Sequence, residues 1–279
     1  MIRSNRLIWN NIASRFAAEL VTSTSEVHFG VGIPGNSTLS LIHRKPDGAA
    51  LDLGCGAGEN LVALSRLGYK VTGIDGSASQ LKIAEELLTA HEVQGKLILG
   101  DVCDFALLND QRFDVIISVD VIHFCSSLDD FITACAKLAK PETQLILSMP
   151  HPLDMIVERN PNSNQIVIRQ NYFPENNRID QAYYWRKFAG KLELTTELIE
   201  HLCRPSDVIN TLIQKGFRIE GVWEPRGNIS ELAPCRYRAV EPWVTEVLRA
   251  YVPPDLIVKS IFERGNHVEK SSRVIEWRP

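Results

Sequence analysis

The sequence predicts an α/β fold: a Rossmann-like, doubly wound, mostly parallel seven-stranded sheet with helices on both faces. The first observation is that short apolar runs alternate with amphipathic stretches between residues 49 and 150. Because this alternation is typical of crossover connections, which join parallel strands through helices, it favours a parallel sheet covered on both faces. The second observation is the glycine-rich turn in LDLGCGAGEN, which follows the first apolar run directly. Open parallel sheets bind ligands at such a turn, so a site is predicted there.

The individual elements follow from periodicity along the chain. Apolar residues at helical spacing predict an N-terminal helix over 6–20, and a short helix is predicted over 38–44. The core then alternates strands and helices, and an insertion with added strands and loops follows its fifth strand. The predicted strands of the sheet are 49–53, 70–75, 96–101, 113–120, 144–150, 217–225 and 256–264, and the helices among them are 58–67, 77–91, 128–140 and 204–216.

Changes in composition divide the chain into four segments. Residues 1–44 combine an amphipathic helix with a loop rich in Gly, Ser and Pro, which predicts an N-terminal helical lid that gates the substrate. Residues 45–150 are the ligand-binding core. Residues 151–203 are a substrate-side insertion rich in aromatic residues, and residues 204–279 complete the sheet.

Composition disfavours several classes of protein. The formal net charge is −4, so no broad basic field is available to hold a nucleic-acid backbone, and nucleic acid is disfavoured as a partner. The six cysteines form no C-x-x-C pair and the seven histidines are scattered, so no metal is expected. The absence of an apolar run of 18 residues and of a signal-peptide pattern predicts a cytoplasmic protein with no membrane partner.

The glycine turn and an acid downstream indicate a ligand with a ribose. Gly54, Gly56 and Gly58 allow a tight turn and a close approach of the backbone to a ligand. Asp75 ends the next predicted strand, where a carboxylate can accept hydrogen bonds from a ribose diol. The dinucleotide pattern G-x-G-x-x-G would need glycine where Glu59 stands, and a glutamate is unfavourable beside a pyrophosphate. A nucleoside without phosphates is therefore favoured.

These residues resemble the class I S-adenosylmethionine-dependent methyltransferase family. The flanking stretches IWNNIASRF and HFGVGIPGN and the HP at 151–152 resemble the flanks of bacterial methyltransferases that act on small molecules, including natural-product tailoring enzymes. The family motif (D/E)-x-G-x-G-x-G is matched from Asp52 to Gly58, and the resemblance continues through GDVCD at 100–104 and FDVIISVDVIHF at 113–124. It implies S-adenosyl-L-methionine as cofactor and S-adenosyl-L-homocysteine as product. The implied cofactor contacts are Asp52, Gly54, Gly56, Gly58, Asp75, Gly76, Gln80, Asp101, Val102 and Ser118.

The resemblance implies an enzyme that transfers a methyl group to an oxygen, nitrogen or carbon atom of a small-molecule acceptor by in-line displacement. Two alternatives stay open at this point. One is a methyltransferase that acts on a protein or on RNA, and the charge and the aromatic-rich insertion argue mildly against RNA. The other is a non-catalytic S-adenosylmethionine-binding protein that pairs with an active partner. A homodimer is compatible with the sequence.

Catalytic and substrate residues are indicated only by their positions. His123 follows the fourth core strand and His151 follows the fifth, so either imidazole could take a proton from an acceptor, and burial beneath the lid is the alternative. Asp120 alone is poor evidence for a magnesium site. For the remaining candidates, packing of the lid and the insertion onto the core is the alternative. The candidate substrate contacts are Trp9, His28, Tyr183, Tyr184 and Trp185.

Overall fold

The computed structural model describes residues 3–108, 111–160, 162–163, 165–179, 198–227, 235–237 and 251–263 of the 279-residue chain. The helices are α1 (Arg3–Glu19), α2 (Asn36–Leu39), α3 (Glu59–Arg66), α4 (Ala78–Ala90), α5 (Leu128–Leu138), α6 (Pro152–Ile156) and α7 (Pro205–Gln214). The strands are β1 (Leu20–Thr22), β2 (Ala49–Leu53), β3 (Lys70–Asp75), β4 (Gly95–Leu99), β5 (Phe113–Val119), β6 (Ala139–Pro150), β7 (Val157–Arg159), β8 (Ile166–Ile168), β9 (Arg178–Ile179), β10 (Glu200–His201), β11 (Phe217–Trp223), β12 (Cys235–Tyr237) and β13 (Asp255–Phe262).

The predicted seven-stranded, mostly parallel sheet is confirmed. Its strand order is β11-β13-β6-β5-β2-β3-β4. The pairs from β6 to β4 are parallel, whereas β13 runs antiparallel to both of its neighbours, β6 and β11. The chain leaves β2 towards β3 on one side and returns to β5 on its other side. The carboxyl end of β2 is therefore the topological switch point, where such sheets open a crevice for a ligand.

Helices cover both faces of the sheet because its central strands are apolar on both faces. In β2, Leu51 and Leu53 belong to one apolar core and Ala50 belongs to the other. The first core packs the sheet against α5 and α7, and the second packs it against α3, α4 and the loop that follows β1. This two-sided burial explains the continuous apolar runs in the sequence, since a sheet with one wet face would show alternation instead.

The loop between β1 and α2 differs from the mobile lid segment that its composition suggests. Val27, Phe29 and Ile33 are completely buried in the core that also contains α3 and α4. The side chain of Asn60 also fastens the loop, since its Oδ1 accepts a hydrogen bond from the backbone N of His28 and its Nδ2 donates to the carbonyl of the same residue. This loop is part of the folded core, which leaves α1 as the candidate for a lid.

The observed helix α2 is shorter than the helix predicted over 38–44 and begins earlier in the chain. The observed α2 covers only Asn36–Leu39 and ends at Ser40, whose φ angle of 53° is left-handed. Leu41 and Ile42 are then buried against the second core rather than continuing the helix. Burial of these two apolar side chains outweighs the weak helical preference of so short a segment.

The helix α5 ends at Leu138, two residues before the predicted end, and β6 begins at Ala139. Pro141 does not stop the helix as predicted but lies within the strand. It is tolerated there because the pairing register between β5 and β6 shifts at this point, and Glu142 has a left-handed φ angle of 68°. A proline lacks an N–H for the ladder, so strands accept it at such irregular positions.

The base of the sheet is held by a carboxylate at the start of β5. The Oδ2 atom of Asp114 accepts a hydrogen bond from the backbone N of Ala49 at 2.8 Å, and its Oδ1 atom accepts from Lys45 Nζ at 2.6 Å and Lys140 Nζ at 2.8 Å. Burial alone would raise the pKa of Asp114, but these donors lower that pKa to about 2. The side chain therefore joins β2, β5 and β6 at their amino ends.

We expect Asp114→Asn to lower the free energy of unfolding by about 1–2 kcal/mol at neutral pH, because hydrogen bonds to a charged group are lost. The pKa of Asp114 is about 2 in the folded state, below its ordinary value of 3.8. The stabilisation is therefore fully present above pH 3.8 and is lost as the pH falls through about 2. Urea unfolding of both proteins at neutral pH and at acid pH will measure this. A stability difference that persists undiminished at the acid end would contradict the role assigned to this carboxylate.

Candidate functional site

The glycine turn lies at the carboxyl end of β2, between β3 and β5. Gly54 and Gly56 have φ angles of 80° and 50°, in the region that favours glycine. A Cβ at Gly54 would overlap the side chain of Val121, whereas a Cβ at Gly56 would meet nothing within 4 Å. At Gly58 a Cβ would lie 3.0 Å from the Cβ of Ala84 in α4. The space above Gly56 is therefore open for a ligand, and the other two glycines are required by neighbouring parts of the protein.

Asp75, at the end of β3, holds the glycine turn from the side. Its Oδ2 accepts a hydrogen bond from the backbone N of Gly56 at 3.0 Å, and its Oδ1 accepts from the backbone N of Ser77 at 2.7 Å. Burial raises the pKa of Asp75, although these two hydrogen bonds act in the opposite direction. A side chain that only faces a ligand could be removed without affecting the fold. This one also supports the turn, so a structural effect of its removal is expected.

Three carboxyl groups are gathered around the turn. Asp52 is 2% exposed, and its pKa is raised to about 8 by burial and by the negative charges of Asp75 and Glu59. The pKa of Glu59 is also raised by its burial. Like charges in one buried site are unfavourable unless a cation offsets them. The cluster therefore suits a ligand with positive charge, and it disfavours a pyrophosphate.

The start of α4 contributes further polar groups. Gly76 is buried between Asp75 and the N-cap Ser77. Gln80 is 4% exposed, and its Oε1 has no hydrogen-bond partner among the described residues. A buried acceptor without a partner is costly, so it points to a group that the site is built to receive. The hydroxyl of Ser118 donates to the carbonyl of Leu53 and so joins β5 to β2, and the predicted contact of Ser118 with the cofactor remains a prediction.

The turn after β4 lies beside the same site. Asp101 accepts a hydrogen bond from the backbone N of Cys103 at 3.0 Å and forms an ion pair with Arg6 of α1, with Nη2 and Oδ2 3.1 Å apart. Val102 is 1% exposed and packs in the first core. The predicted contacts of Asp101 and Val102 with adenine remain predictions.

Helix α1 lies across the turns that end β3 and β4. The Oδ1 atom of Asn10 accepts hydrogen bonds from the hydroxyl of Ser77 at 2.9 Å and from the backbone N of Ser79 at 3.1 Å. Trp9 packs edge-on against Phe124, with ring centroids 5.7 Å apart. Trp9 thus helps to pack α1 onto the core, which agrees with the packing role that the sequence analysis gave as the alternative to a substrate contact. Arg6 and Asn10 were missed from the sequence, although their spacing of four residues marks a polar face of the helix.

His123 lies in a turn of 3₁₀ helix that follows β5, and it is 3% exposed. Its Nε2 is 4.0 Å from Oε1 of Glu200, which is equally buried, and its Nδ1 is enclosed with no hydrogen-bond partner in the described part of the chain. Burial, and to a lesser extent the neighbouring His201, lowers the pKa of His123 to about 3. Glu200 belongs to the insertion, and no motif in the sequence indicated it.

His151 is a structural residue, which argues against the predicted catalytic role. Its Nδ1 accepts a hydrogen bond from the backbone N of Leu153 at 3.1 Å and so caps α6. Its Nε2 must then carry the proton, and it lies 2.9 Å from Oε1 of Glu224. Both ring nitrogens are engaged, so neither can accept a proton from an acceptor.

The other candidate substrate contacts divide into two groups. His28 is half-buried in the loop that follows β1, and burial lowers its pKa to about 4. It lies in the fastened loop rather than on a moving segment. The predicted substrate contacts Tyr183, Tyr184 and Trp185 lie outside the described residues.

The described groups fit the cofactor that the sequence predicts. The open space at Gly56 admits a close backbone contact, and Asp75 offers carboxylate oxygens at the end of β3. The unpartnered Oε1 of Gln80 can accept a hydrogen bond, and the buried acids favour a sulfonium and an ammonium group. Among the described residues no three His, Cys, Asp or Glu side chains are arranged to hold a metal ion, Asp120 included.

We expect Asp75→Asn to weaken the binding of S-adenosylhomocysteine by roughly 1–3 kcal/mol, the range for a lost charge-assisted hydrogen bond. The amide keeps one acceptor oxygen, so the variant should fold with only modest destabilisation, whereas Asp75→Ala should destabilise the glycine turn as well. Isothermal calorimetry with thermal unfolding as control will separate the two effects. Unchanged affinity in a folded Asp75→Asn variant would show that this acid does not contact the cofactor.

The raised pKa of Asp52 predicts that cofactor binding releases a proton. Because the folded-state pKa of about 8 exceeds the ordinary 3.8, the free protein gains stability from this protonated group at low pH and loses it as the pH rises through 8. A cationic cofactor favours the ionised form of Asp52. The affinity of the protein for the cofactor should therefore rise by up to about tenfold per pH unit as the pH approaches 8, and it should level off above pH 8. Calorimetry in two buffers of different ionisation enthalpy will count the protons. Equal proton release by Asp52→Asn would assign it to another group.

Comparison with known proteins agrees with this geometry. Residues 51–147 match the family model described as a methyltransferase domain. The mouse mitochondrial ubiquinone biosynthesis O-methyltransferase is 35% identical over 101 residues, which are 35% of this chain and 27% of that protein. The ubiquinone biosynthesis O-methyltransferase of Bradyrhizobium sp. (strain ORS 278) is 28% identical over 153 residues, 54% of this chain and 56% of that protein. The chain thus spans between about a quarter and just over half of these relatives.

Solved structures share the fold over a greater length. An S-adenosylmethionine-dependent methyltransferase from Mesorhizobium loti superposes with a TM-score of 0.61 at 19% identity, and the match covers 81% of this chain and 95% of that one. The geranyl diphosphate C-methyltransferase of Streptomyces coelicolor A3(2), solved with S-adenosyl-L-homocysteine, gives a TM-score of 0.52 at 13% identity and covers 79% and 74%. In the described part of this chain, no helix has the length and apolarity needed to cross a membrane. The chain therefore carries a methyltransferase domain over residues 51–147, with S-adenosylmethionine as its cofactor, in a fold that it shares with S-adenosylmethionine-dependent methyltransferases.

Proposed function

We propose that the protein is an enzyme that transfers a methyl group from S-adenosylmethionine to a small-molecule acceptor, with oxygen as the acceptor atom. The observation that carries this proposal is the glycine turn held by Asp75, with open space above Gly56 and buried acids around it. The shared O-methyltransferase activity in the names of the relatives supports oxygen as the acceptor atom. A net charge of −4 argues against RNA as the acceptor.

The chain's contribution to the reaction is mainly to bind and to align. The bound cofactor supplies an already activated methyl group on a sulfonium. Asp75 would hold the ribose diol, and Gly56 would let the nucleoside approach the backbone of the turn. Asp52 would offset positive charge on the amino acid portion. Fixing both reactants in line converts a bimolecular step into an effectively unimolecular one, which supplies much of the acceleration.

We further propose that the four predicted segments act as assigned, with the lid restricted to α1. Four contacts of α1 support its role as the lid. Asn10 accepts a hydrogen bond at the N-terminus of α4, and Arg6 forms an ion pair with Asp101. Trp9 packs on Phe124, and Asn5 forms hydrogen bonds with the backbone of the insertion at Ile199. A helix so placed would cover a cofactor and exclude water. Residues 45–150 would then bind the cofactor, 151–203 would shape the acceptor side, and 204–279 would complete the sheet.

Cytoplasmic action is also part of the proposal. The cysteines at 55, 103, 125, 135 and 203 are all free thiols, as a reducing compartment favours. A homodimer is compatible with the proposed function.

We expect S-adenosylmethionine and S-adenosylhomocysteine to bind, and NAD to bind far more weakly, because Glu59 and its acidic neighbours disfavour a pyrophosphate. Calorimetry with the three ligands checks this. Mass spectrometry after incubation with S-adenosylmethionine and a panel of phenols, alcohols, amines and carbon nucleophiles will detect transfer. A product 14 Da heavier than a phenol or alcohol is expected. Cofactor binding with no product from the panel would favour the non-catalytic alternative.

A further inference from the structure

Four of the cysteines lie together on one face of the sheet. The thiols of Cys125, Cys135 and Cys203 are buried in the apolar core that packs the sheet against α5 and α7. Cys103 packs against the same core from the turn that follows β4. Neither cofactor binding nor the proposed transfer of a methyl group uses any of these four thiols, so the proposed function does not explain why they are grouped.

Within this group, Cys103 and Cys125 are in direct contact. Their side chains form a thiol–thiol hydrogen bond, and both cysteines are free. Cys103 lies in the turn after β4, whereas Cys125 ends the turn of 3₁₀ helix that follows β5. Two sulfur atoms that are already in contact need only a small movement of the turns that carry them to form a disulfide.

The two thiols differ in exposure and in acidity. Cys103 is only partly buried, whereas Cys125 is 3% exposed. The hydrogen bond from Cys125 lowers the pKa of Cys103, although burial and the charges of Asp101 and Asp130 act in the opposite direction. The same hydrogen bond, together with burial, raises the pKa of Cys125. Because the thiolate is the form that attacks an oxidant, Cys103 is the more reactive member of the pair.

Small molecules can reach this pair from solvent. Cys125 lines a cavity of about 430 Å³, and Cys203, His201 and Arg204 line it as well. The cavity is large enough for a peroxide or a small thiol, and Cys103 is itself partly exposed. Cys135, in contrast, is completely buried and does not line the cavity. Both sulfur atoms of the pair are therefore open to oxidation and to reduction.

The turns that carry the two thiols are also part of the cofactor site. The backbone N of Cys103 donates a hydrogen bond to Oδ1 of Asp101 at 3.0 Å, and Oδ2 of Asp101 lies 3.1 Å from Nη2 of Arg6 in α1. Val121, in the turn that leads to Cys125, packs against Gly54 of the glycine turn so closely that no Cβ would fit there. A covalent bond between the sulfur atoms would shift one or both turns and would disturb the cofactor groups beside them.

We propose that Cys103 and Cys125 form a reversible disulfide when the protein meets a hydroperoxide, and that this disulfide weakens cofactor binding. The pair is thus an oxidative modification site next to the cofactor site. A transient disulfide of this kind is compatible with a reducing compartment, where disulfides are mostly catalytic or redox-sensing. The inference concerns the cofactor site and holds for any acceptor, so it goes beyond the proposed function.

The oxidation balances with a hydroperoxide as its oxidant. The sulfur of Cys103 attacks one oxygen of hydrogen peroxide and the O–O bond breaks, so that a sulfenic acid forms and one water leaves with the thiol proton. The sulfur of Cys125 then attacks the sulfenic sulfur, the S–O bond breaks, and the hydroxide takes the Cys125 proton and leaves as a second water. Two electrons pass from the two sulfur atoms to the peroxide. A dithiol such as dithiothreitol reverses the step by thiol–disulfide exchange.

The experiment treats the full-length reduced protein with hydrogen peroxide, blocks the remaining thiols with N-ethylmaleimide and maps disulfides by mass spectrometry. Trypsin cleaves after Arg112 and so separates Cys103 from Cys125, and chymotrypsin cleaves after Phe131 and so separates Cys125 from Cys135. A peptide pair joined through Cys103 and Cys125 is expected, and dithiothreitol should remove it. In calorimetry the oxidised protein should bind S-adenosylhomocysteine at least about fivefold more weakly, the lower end for coupled sites, and dithiothreitol should restore the affinity.

Two variants and a matched control identify the thiols. Cys103→Ser and Cys125→Ser should form no such peptide pair and should keep their affinity for S-adenosylhomocysteine after peroxide treatment. Cys203→Ser is the control, because Cys203 lines the same cavity as Cys125 and its thiol donates to the carbonyl of His201, which a hydroxyl can also do. This variant should respond to peroxide as the wild type does. Thermal unfolding verifies that each variant folds, and the mapping of the wild type stands without them.

Several outcomes would overturn the inference. One is a peroxide-treated wild type in which Cys103 stays reduced, or is joined to Cys135 or Cys203 instead of Cys125. Others are a disulfide between Cys103 and Cys125 that leaves the affinity for S-adenosylhomocysteine unchanged, and an equal loss of affinity in peroxide-treated Cys103→Ser. In all of these cases the proposed function stands. That function fails instead if the reduced protein binds the cofactor and methylates nothing, a result that leaves the disulfide and its effect on affinity intact.

Discussion

The hydrogen bonds from the backbone of Gly56 and Ser77 to Asp75 are the interaction on which the site depends. They tie the turn after β2 to the end of β3, and the backbone N–H groups of Gly54 and Cys55 add two more bonds to the carbonyl of Ile74. Two neighbouring strands thus hold one loop from both sides. The loop adopts left-handed φ angles because glycines stand at those positions, and these hydrogen bonds hold it in that conformation. A preorganised loop lets a ligand bind without first ordering it.

The same site carries an electrostatic cost in the free protein. Burial of Asp52 beside Asp75 and Glu59 raises the pKa of Asp52 to about 8, so one of the acids is held as a neutral group near neutral pH. Folding alone gives no reason to bury three carboxyl groups together, because each is more stable in water. A cationic ligand reverses this, since the charges that destabilise the empty site then attract it. Stability and binding therefore make opposite demands on these residues, as is common at functional sites.

Contacts between residues that are far apart in the sequence hold α1 over the site. Asn5 reaches Ile199, a separation of 194 residues, and Arg6 reaches Asp101. Ile8 and Ile12 on the apolar side of α1 pack with Phe124 and Leu198 in a small separate core. One helix thereby contacts both the cofactor turns and the insertion. Under the proposed function, cofactor binding and the shape of the acceptor side would be linked through α1, because α1 contacts both the turns that end β3 and β4 and the backbone at Ile199.

The sequence by itself determined the sheet, the positions of the glycine turn and of Asp75, and the resemblance to methyltransferases. These are local features: apolar runs of strand length, glycines at fixed spacing and an acid at a strand end all leave their mark within a few residues. The same locality explains why the predicted elements of the core agree with the observed ones to within a few residues. The errors at α2 and at the end of α5 occur where burial of Leu41 and Ile42, or a bulge at Pro141, overrides local preference.

Only the tertiary structure decided which polar residues act together. His123 and His151 were equivalent in the sequence, since each follows a core strand. In the described part of the chain, Nδ1 of His123 has no hydrogen-bond partner, whereas His151 caps α6 and faces Glu224. Glu200 stood in no motif, and its approach to His123 depends on how the insertion folds back over the sheet. Hydrogen bonds and ion pairs act over a few ångströms, and their partners here are as many as 194 residues apart. No local pattern records such a pairing, because it arises only when the chain has folded.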